Sequence, residues 1–144
     1  MKYARLERER RFLLDQLPDV GGARVLDITD RYLDGTTLRL RRVVEDGHAV
    51  YKLGQKVPTD LGISVVEHTT MYLQEAEHAL LCGLPGAELR KRRHLLDAWA
   101  VDVHVDGLLL AETEQDADPP FSFVREVTDE PAFTGAELAR RARR

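Results

Sequence analysis

Glu7-Arg8-Glu9-Arg10-Arg11 sets two carboxylates and a guanidinium at every second position, and Glu112 and Glu114 repeat the E-x-E spacing near the other end of the chain. In an extended strand such residues share one face. Between the two acidic pairs come Arg39 and Arg41, Lys52 and Lys56, and Lys91 and Arg93, each pair on one face of its own strand. A solubilising surface mixes both signs within a strand; here the acids sit on the first and last strands and the bases on the middle ones. Every lysine except Lys2 lies on one of these faces. Two E-x-E pairs brought together repel and raise each other's pKa unless a cation sits between them. An oxygen-only ligand set of that kind suits Mg²⁺ or Mn²⁺. Six lysines and arginines facing it suit a strongly anionic group, and phosphate is the natural one.

The elements that must position these residues are short strands punctuated by turns. Period two marks 6–14, 23–33, 37–44, 48–56, 63–69, 87–96, 98–105 and 108–114 as strands. Asp34-Gly35, Asp46-Gly47 and Asp106-Gly107 supply tight hairpin turns. One internal helix is expected over 72–81, with Leu73, Ala76, Leu80 and Leu81 at helical spacing and Gly83 and Pro85 ending it. A second is expected over 134–144, where Thr134 and Glu137 form a T-x-x-E capping box. About eight hairpin-linked strands with one helix midway and one at the end predict a mainly β, α+β protein, an antiparallel barrel or sandwich. The register of 87–96 leaves open which face Lys91 and Arg93 occupy.

At 144 residues, with 43% hydrophobic and 32% charged, the chain reads as one globular domain over 1–144. A net charge of −4 argues against sequence-independent nucleic-acid binding. The single Cys82 forms no internal disulfide and reads as a buried, inert thiol. No apolar run reaches bilayer length and no signal peptide opens the chain, so the expectation is a cytoplasmic protein with no membrane partner, monomeric or homodimeric.

The sequence resembles the CYTH superfamily, the triphosphate tunnel metalloenzymes, which includes class IV adenylate cyclases, thiamine triphosphatases and inorganic triphosphatases. The family's amino-terminal E-x-E-x-K reads Glu7 to Arg11 here, and "ITDRYL" (28–33), "LRLR" (38–41), "YKLGQK" (51–56), "LRKRR" (89–93), "WAVDVHVDGLLLAETE" (99–114) and "REVTDEPAF" (125–133) follow in the family's order. The resemblance implies an eight-stranded antiparallel barrel whose charged faces line a tunnel, with the C-terminal helix near one mouth. It implies that Glu7, Glu9, Asp102, Glu112 and Glu114 hold one or two divalent cations, that Arg39, Arg41, Lys52, Lys56, Lys91 and Arg93 bind a triphosphate, and that Glu7, Glu9 and Arg11 act in catalysis. Two departures stand out: Arg11 replaces the signature lysine, and on the strand after Lys56 Glu67 matches the first of two family acids while Thr69 stands in place of the second.

Outside this set, the five histidines show no zinc spacing, and His104 is expected to be a hydrogen-bonded structural residue. Trp99 is expected to pack between barrel and helix, and the arginines of 139–144 to form a solvated helix face. The leading expectation is a metal-dependent phosphohydrolase of a linear triphosphate, inorganic or organic. An adenylate cyclase, and a non-catalytic polyphosphate- or nucleotide-binding module, are the alternatives.

Overall fold

A computed structural model describes residues 2–143. The strands are β1 (Arg5–Arg8), β2 (Arg10–Leu14), β3 (Arg24–Leu33), β4 (Leu38–Glu45), β5 (His48–Thr59), β6 (Gly62–Leu73), β7 (Gly86–Leu96), β8 (Trp99–His104), β9 (Leu109–Thr113) and β10 (Arg125–Glu126). They form one antiparallel sheet in the order β1-β6-β5-β4-β3-β7-β8-β9-β2-β10. Helix α1 (Glu75–Leu81) follows β6, and helix α2 (Gly135–Arg143) follows a single 3-10 turn at Pro131–Phe133. Arg144, the last residue of the expected helix, lies outside the described residues.

The eight expected strands become ten because the first divides at Glu9 and the short β10 adds to its outer side. That division closes the sheet. β1 pairs with β6 and β2 pairs with β9, so one short stretch of chain borders both ends of a curled, barrel-like sheet. The Glu9 N–H donates to the Ser64 carbonyl at 3.2 Å at the crossing point. Asp46 and Gly47, both at positive φ (50° and 78°), give the β4–β5 hairpin the two left-handed residues that a type I′ turn requires.

Hydrophobic alternation divides the apolar residues between the two faces. On the concave face Ala87, Leu89, Leu110, Val127, Leu138 and Ala139 form a core under α2, with Leu13 and Tyr32 against it. On the convex face Phe12, Leu14, Trp99, Val101 and Ala111 form a second core beneath Phe121. Trp99 meets Phe12 at 5.7 Å and Phe121 at 5.6 Å, edge to face. It therefore packs under the 115–124 loop, not against a helix as expected, because Trp99 and the cavity-lining Glu112 lie on opposite faces of the sheet.

The internal helix is shorter than its periodicity suggests. Ladder pairing of Tyr51 with Leu73 and Lys52 with Tyr72 carries β6 two residues into the expected helix. α1 begins at Glu75 and buries none of its side chains; Leu80 is 78% exposed. Cys82 is for the same reason half-buried instead of fully buried. No helix of the described residues is long and apolar enough to cross a membrane.

Candidate functional site

On β2 the side chains alternate, so Phe12 and Leu14 face the convex core while Arg11 and Leu13 face inward; Glu7 and Glu9 continue that inner face through the crossing point. The same alternation on β4, β5 and β7 turns Arg39, Arg41, Lys56, Lys91 and Arg93 inward, and Glu112 joins them from β9. The nine charged residues among these line one cavity of about 410 Å³. Cross-strand register explains the assembly: Arg11 stands opposite Glu112, Arg93 opposite Asp102 and Asp30 opposite Arg41.

Three of the expected residues do not line the cavity. Lys52 lies one pair further along the β4–β5 face, opposite Arg41, with its ammonium 5.5 Å from the Tyr72 ring. Glu114 is half-exposed and pairs with Arg5 at 2.9 Å. Asp102 is fully buried, and both its oxygens are taken: Arg93 grips them at 2.7 and 2.8 Å and Lys91 adds a contact at 3.0 Å. The structure thus holds Asp102 against the bases and away from the convergent acids, which are Glu7, Glu9 and Glu114; one ligand oxygen from each lies within 4.8 Å of the others.

The acids differ sharply in electrostatic environment. Burial pushes the Glu7 carboxyl up, but the His68 hydrogen bond at 2.7 Å and Lys56 at 3.2 Å outweigh it and hold Glu7 well below the ordinary range. Burial likewise opposes ionisation of Glu112, and Arg11, Lys91 and Arg93 override it. Glu9 is compensated too weakly: burial and repulsion from Glu112 push it up to about 7 against the opposing pull of Lys56 and of Arg11, which comes no closer than 3.5 Å. A cluster of three carboxylates, one of them short of positive charge, fits a hard divalent cation. Among the bases, burial depresses Lys91 despite Asp102 beside it.

Several residues of the site were not assigned from sequence. Asp30, fully buried, accepts Arg41 at 2.6 and 2.8 Å. Its alternation with Ile28 and Tyr32 was the available signal, legible only once the β3–β4 register was known. His68 occupies the inner face of β6 with Ser64 and Val66. Glu67 and Thr69 alternate to the outer face, so the expected Glu67 match does not bring an acid to the cavity. His104 has no hydrogen-bond partner for either ring nitrogen among the described residues, contrary to the expected structural bond. Burial and Lys91 lower its pKa, consistent with a neutral ring.

α2 meets the cavity through Thr134, Gly135 and Ala136. Arg11 spans the gap, bonding Glu112 through Nε at 3.1 Å and the Phe133 carbonyl through Nη1 at 3.0 Å. A fork of donors makes both contacts at once, which a lysine ammonium at this position reaches less readily. A Cβ on Gly135 would stand 2.0 Å from the Tyr32 hydroxyl. Gly135→Ala is therefore expected to displace Tyr32 or the helix start and to destabilise the protein by about 1–3 kcal/mol, read as a lowered midpoint in denaturant.

No family model matches the chain, and no curated protein matches it either. Solved structures do. The crystal structure described as hypothetical protein NE1496 is 22% identical, with a TM-score of 0.60 over 92% of this chain and 97% of that one. A structure of the inorganic triphosphatase NE1496 gives 22% identity and a TM-score of 0.58 over 92% and 93%. The PH1819 protein from Pyrococcus horikoshii OT3 is 15% identical, with a TM-score of 0.57 over 78% of this chain and 79% of that one. At these identities what is shared is the fold.

Proposed function

We propose that this chain is a divalent-metal-dependent hydrolase of a linear triphosphate, inorganic or organic, acting in the cytoplasm. The observation that carries the reading is the single cavity lined by six lysines and arginines and three glutamates drawn from different strands. The fold shared with a solved structure named an inorganic triphosphatase supports it.

In this reading Arg39, Arg41, Lys56, Lys91 and Arg93 take the phosphate oxygens. Arg41 and Arg93 each spend two N–H donors on a buried aspartate, which fixes the guanidinium plane and leaves the other donors for substrate. Lys56 and His68 hold the Glu7 carboxylate in place and ionised. Glu9, near 7, is the carboxylate able to take up or release a proton at neutral pH. Glu7, Glu9 and Glu114 would hold a Mg²⁺ or Mn²⁺ ion, which when bound neutralises phosphate charge and lowers the pKa of a coordinated water. Arg11 is a positioning residue here, tying Glu112 to the start of α2.

Among the described residues the cavity's only aromatic rings are Tyr32 and the imidazole of His68, and His68 is tied to Glu7, which leaves Tyr32 without a second free ring to sandwich a nucleobase and favours hydrolysis over ATP cyclisation. A binding-only module is the second reading, favoured by Glu112 being held by both Arg11 and Arg93. Phosphate release from inorganic triphosphate separates them. Release with Mg²⁺ or Mn²⁺ that stops when a chelator removes the metal is expected. Triphosphate binding with no release at any metal concentration would replace the hydrolase with the binding module.

A further inference from the structure

We propose that the amino-terminal end of α2 is a subsite for an unesterified terminal phosphate of the bound chain, a proposal that rests on the triphosphate reading of the cavity. The first-turn N–H groups of a helix have no intrahelical partner and point out of its end, where they favour an anion. In α2 the Thr134 hydroxyl takes the Glu137 N–H at 3.3 Å and the Thr134 carbonyl takes the Leu138 N–H at 2.9 Å. The N–H groups of Gly135 and Ala136 are left with no partner among the described residues, and both residues line the cavity.

The independent observation is Arg39. It lines the same cavity, is 5% exposed, and makes no hydrogen bond among the described residues; its Nε is sealed from water without an acceptor. Its one ion-pair contact is Asp30 at 3.9 Å, and Asp30 is already gripped by Arg41. A buried guanidinium without an acceptor is rare in native proteins and calls for a ligand. Arg39 is the cross-strand partner of Tyr32, and the Tyr32 hydroxyl abuts Gly135. The unpaired arginine and the open end of the helix therefore both border one tyrosine, and all line the same cavity.

The geometry is kept by two features already described. Gly135 lets the helix start approach Tyr32 where any Cβ would collide, and Arg11 anchors the residue before the helix by the Phe133 carbonyl. Two backbone donors and a guanidinium suit the three free oxygens of a chain end better than a bridging phosphate, which offers two.

The test uses the whole protein with Mg²⁺ and an imido-bridged triphosphate that resists hydrolysis. In the wild type the amide protons of Gly135 and Ala136 should move downfield on titration, together with the Arg39 Nε proton. Ala136→Pro deletes one N–H that no helical bond uses, at a position in the first turn where proline is tolerated. Its affinity should fall about tenfold or more, the effect of losing one bond to a charged group. A response at Arg39 with silent Gly135 and Ala136 amides overturns the subsite while leaving the tunnel reading intact. So does a folded Ala136→Pro that binds as tightly as the wild type. No response at Arg39 or at the amides overturns both. The wild-type amide readout stands whether or not the proline variant folds.

Discussion

Asp102→Asn is expected to destabilise the protein by about 3–5 kcal/mol, the range for removing one partner of a buried ion pair. Asp102 is fully buried and is the shared acceptor of Arg93 and Lys91. Without its charge two buried cations face each other, with Glu112 as the remaining neighbour at 3.5 Å from Arg93. Lys91, already depressed by burial, is the group expected to give up its proton in response. The direct measurement is chemical denaturation of both proteins at neutral pH, where Asp102 is ionised: burial opposes its ionisation, but Lys91 and Arg93 hold it below its ordinary value. Divalent-metal affinity of the folded variant should change far less than stability does. A variant as stable as the wild type that has lost metal affinity would return Asp102 to the ligand set from which the geometry removes it.

The fate of Asp102 shows where sequence reading stops. Period two fixes which residues share a face within one strand, so Lys91 and Arg93 were legible as a pair, but which face that pair occupies was left open. That both end as partners of Asp102 depends on register across β7 and β8, which is a non-local property. The same limit hid Asp30, whose meaning comes from Arg41 on the next strand, and His68, whose partner Glu7 lies across the β1–β6 seam. Strand spans and hairpins were well marked because Asp-Gly turns and alternation are local signals. The split at Glu9 was not, since nothing in the residues 5–14 says that two different strands will claim its halves. α1 failed in the other direction: its apolar spacing is real, but β5 pairing claimed the first part and no core covers the rest.

Charge sorting along the chain survives as charge compensation in space. Glu7 and Glu112 from the first and last strands meet bases from the middle ones, as do Asp30 and Asp102 from the middle strands themselves, and all four are held below their ordinary pKa values against the burial that opposes ionisation. Their stabilising contribution is present above the ordinary carboxylate range and is lost as pH falls through their lowered values. Two residues stand outside this balance, Arg39 with no acceptor and Glu9 with too little positive charge. They mark the places where a ligand adds most.

Glu9 gives the second large effect. Its carboxyl is pushed up to about 7 from the ordinary 4.5, first by burial and then by Glu112. Below pH 4.5 both the folded and unfolded chains carry the proton, and Glu9 contributes no pH dependence. Between about 4.5 and 7 the folded protein keeps a proton that the unfolded chain has released, so stability of the metal-free protein falls as pH rises. Above 7 that penalty is complete. A cation bound by Glu7, Glu9 and Glu114 must displace the proton, so metal affinity should rise up to about tenfold per pH unit below 7 and level off above it. Calorimetry in buffers of different ionisation enthalpy would count that proton directly. In Glu9→Gln the metal-free stability should no longer fall between pH 4.5 and 7, the proton release should vanish, and metal affinity above pH 7 should drop by more than about 100-fold, beyond the roughly 10–100-fold that loss of a supporting partner alone costs. Triphosphate hydrolysis should fall with it and return in part at high Mn²⁺. A Glu9→Gln protein that binds metal with the wild-type pH profile would place the cation elsewhere in the cavity, and Glu112 with its two arginines would be the next site to probe.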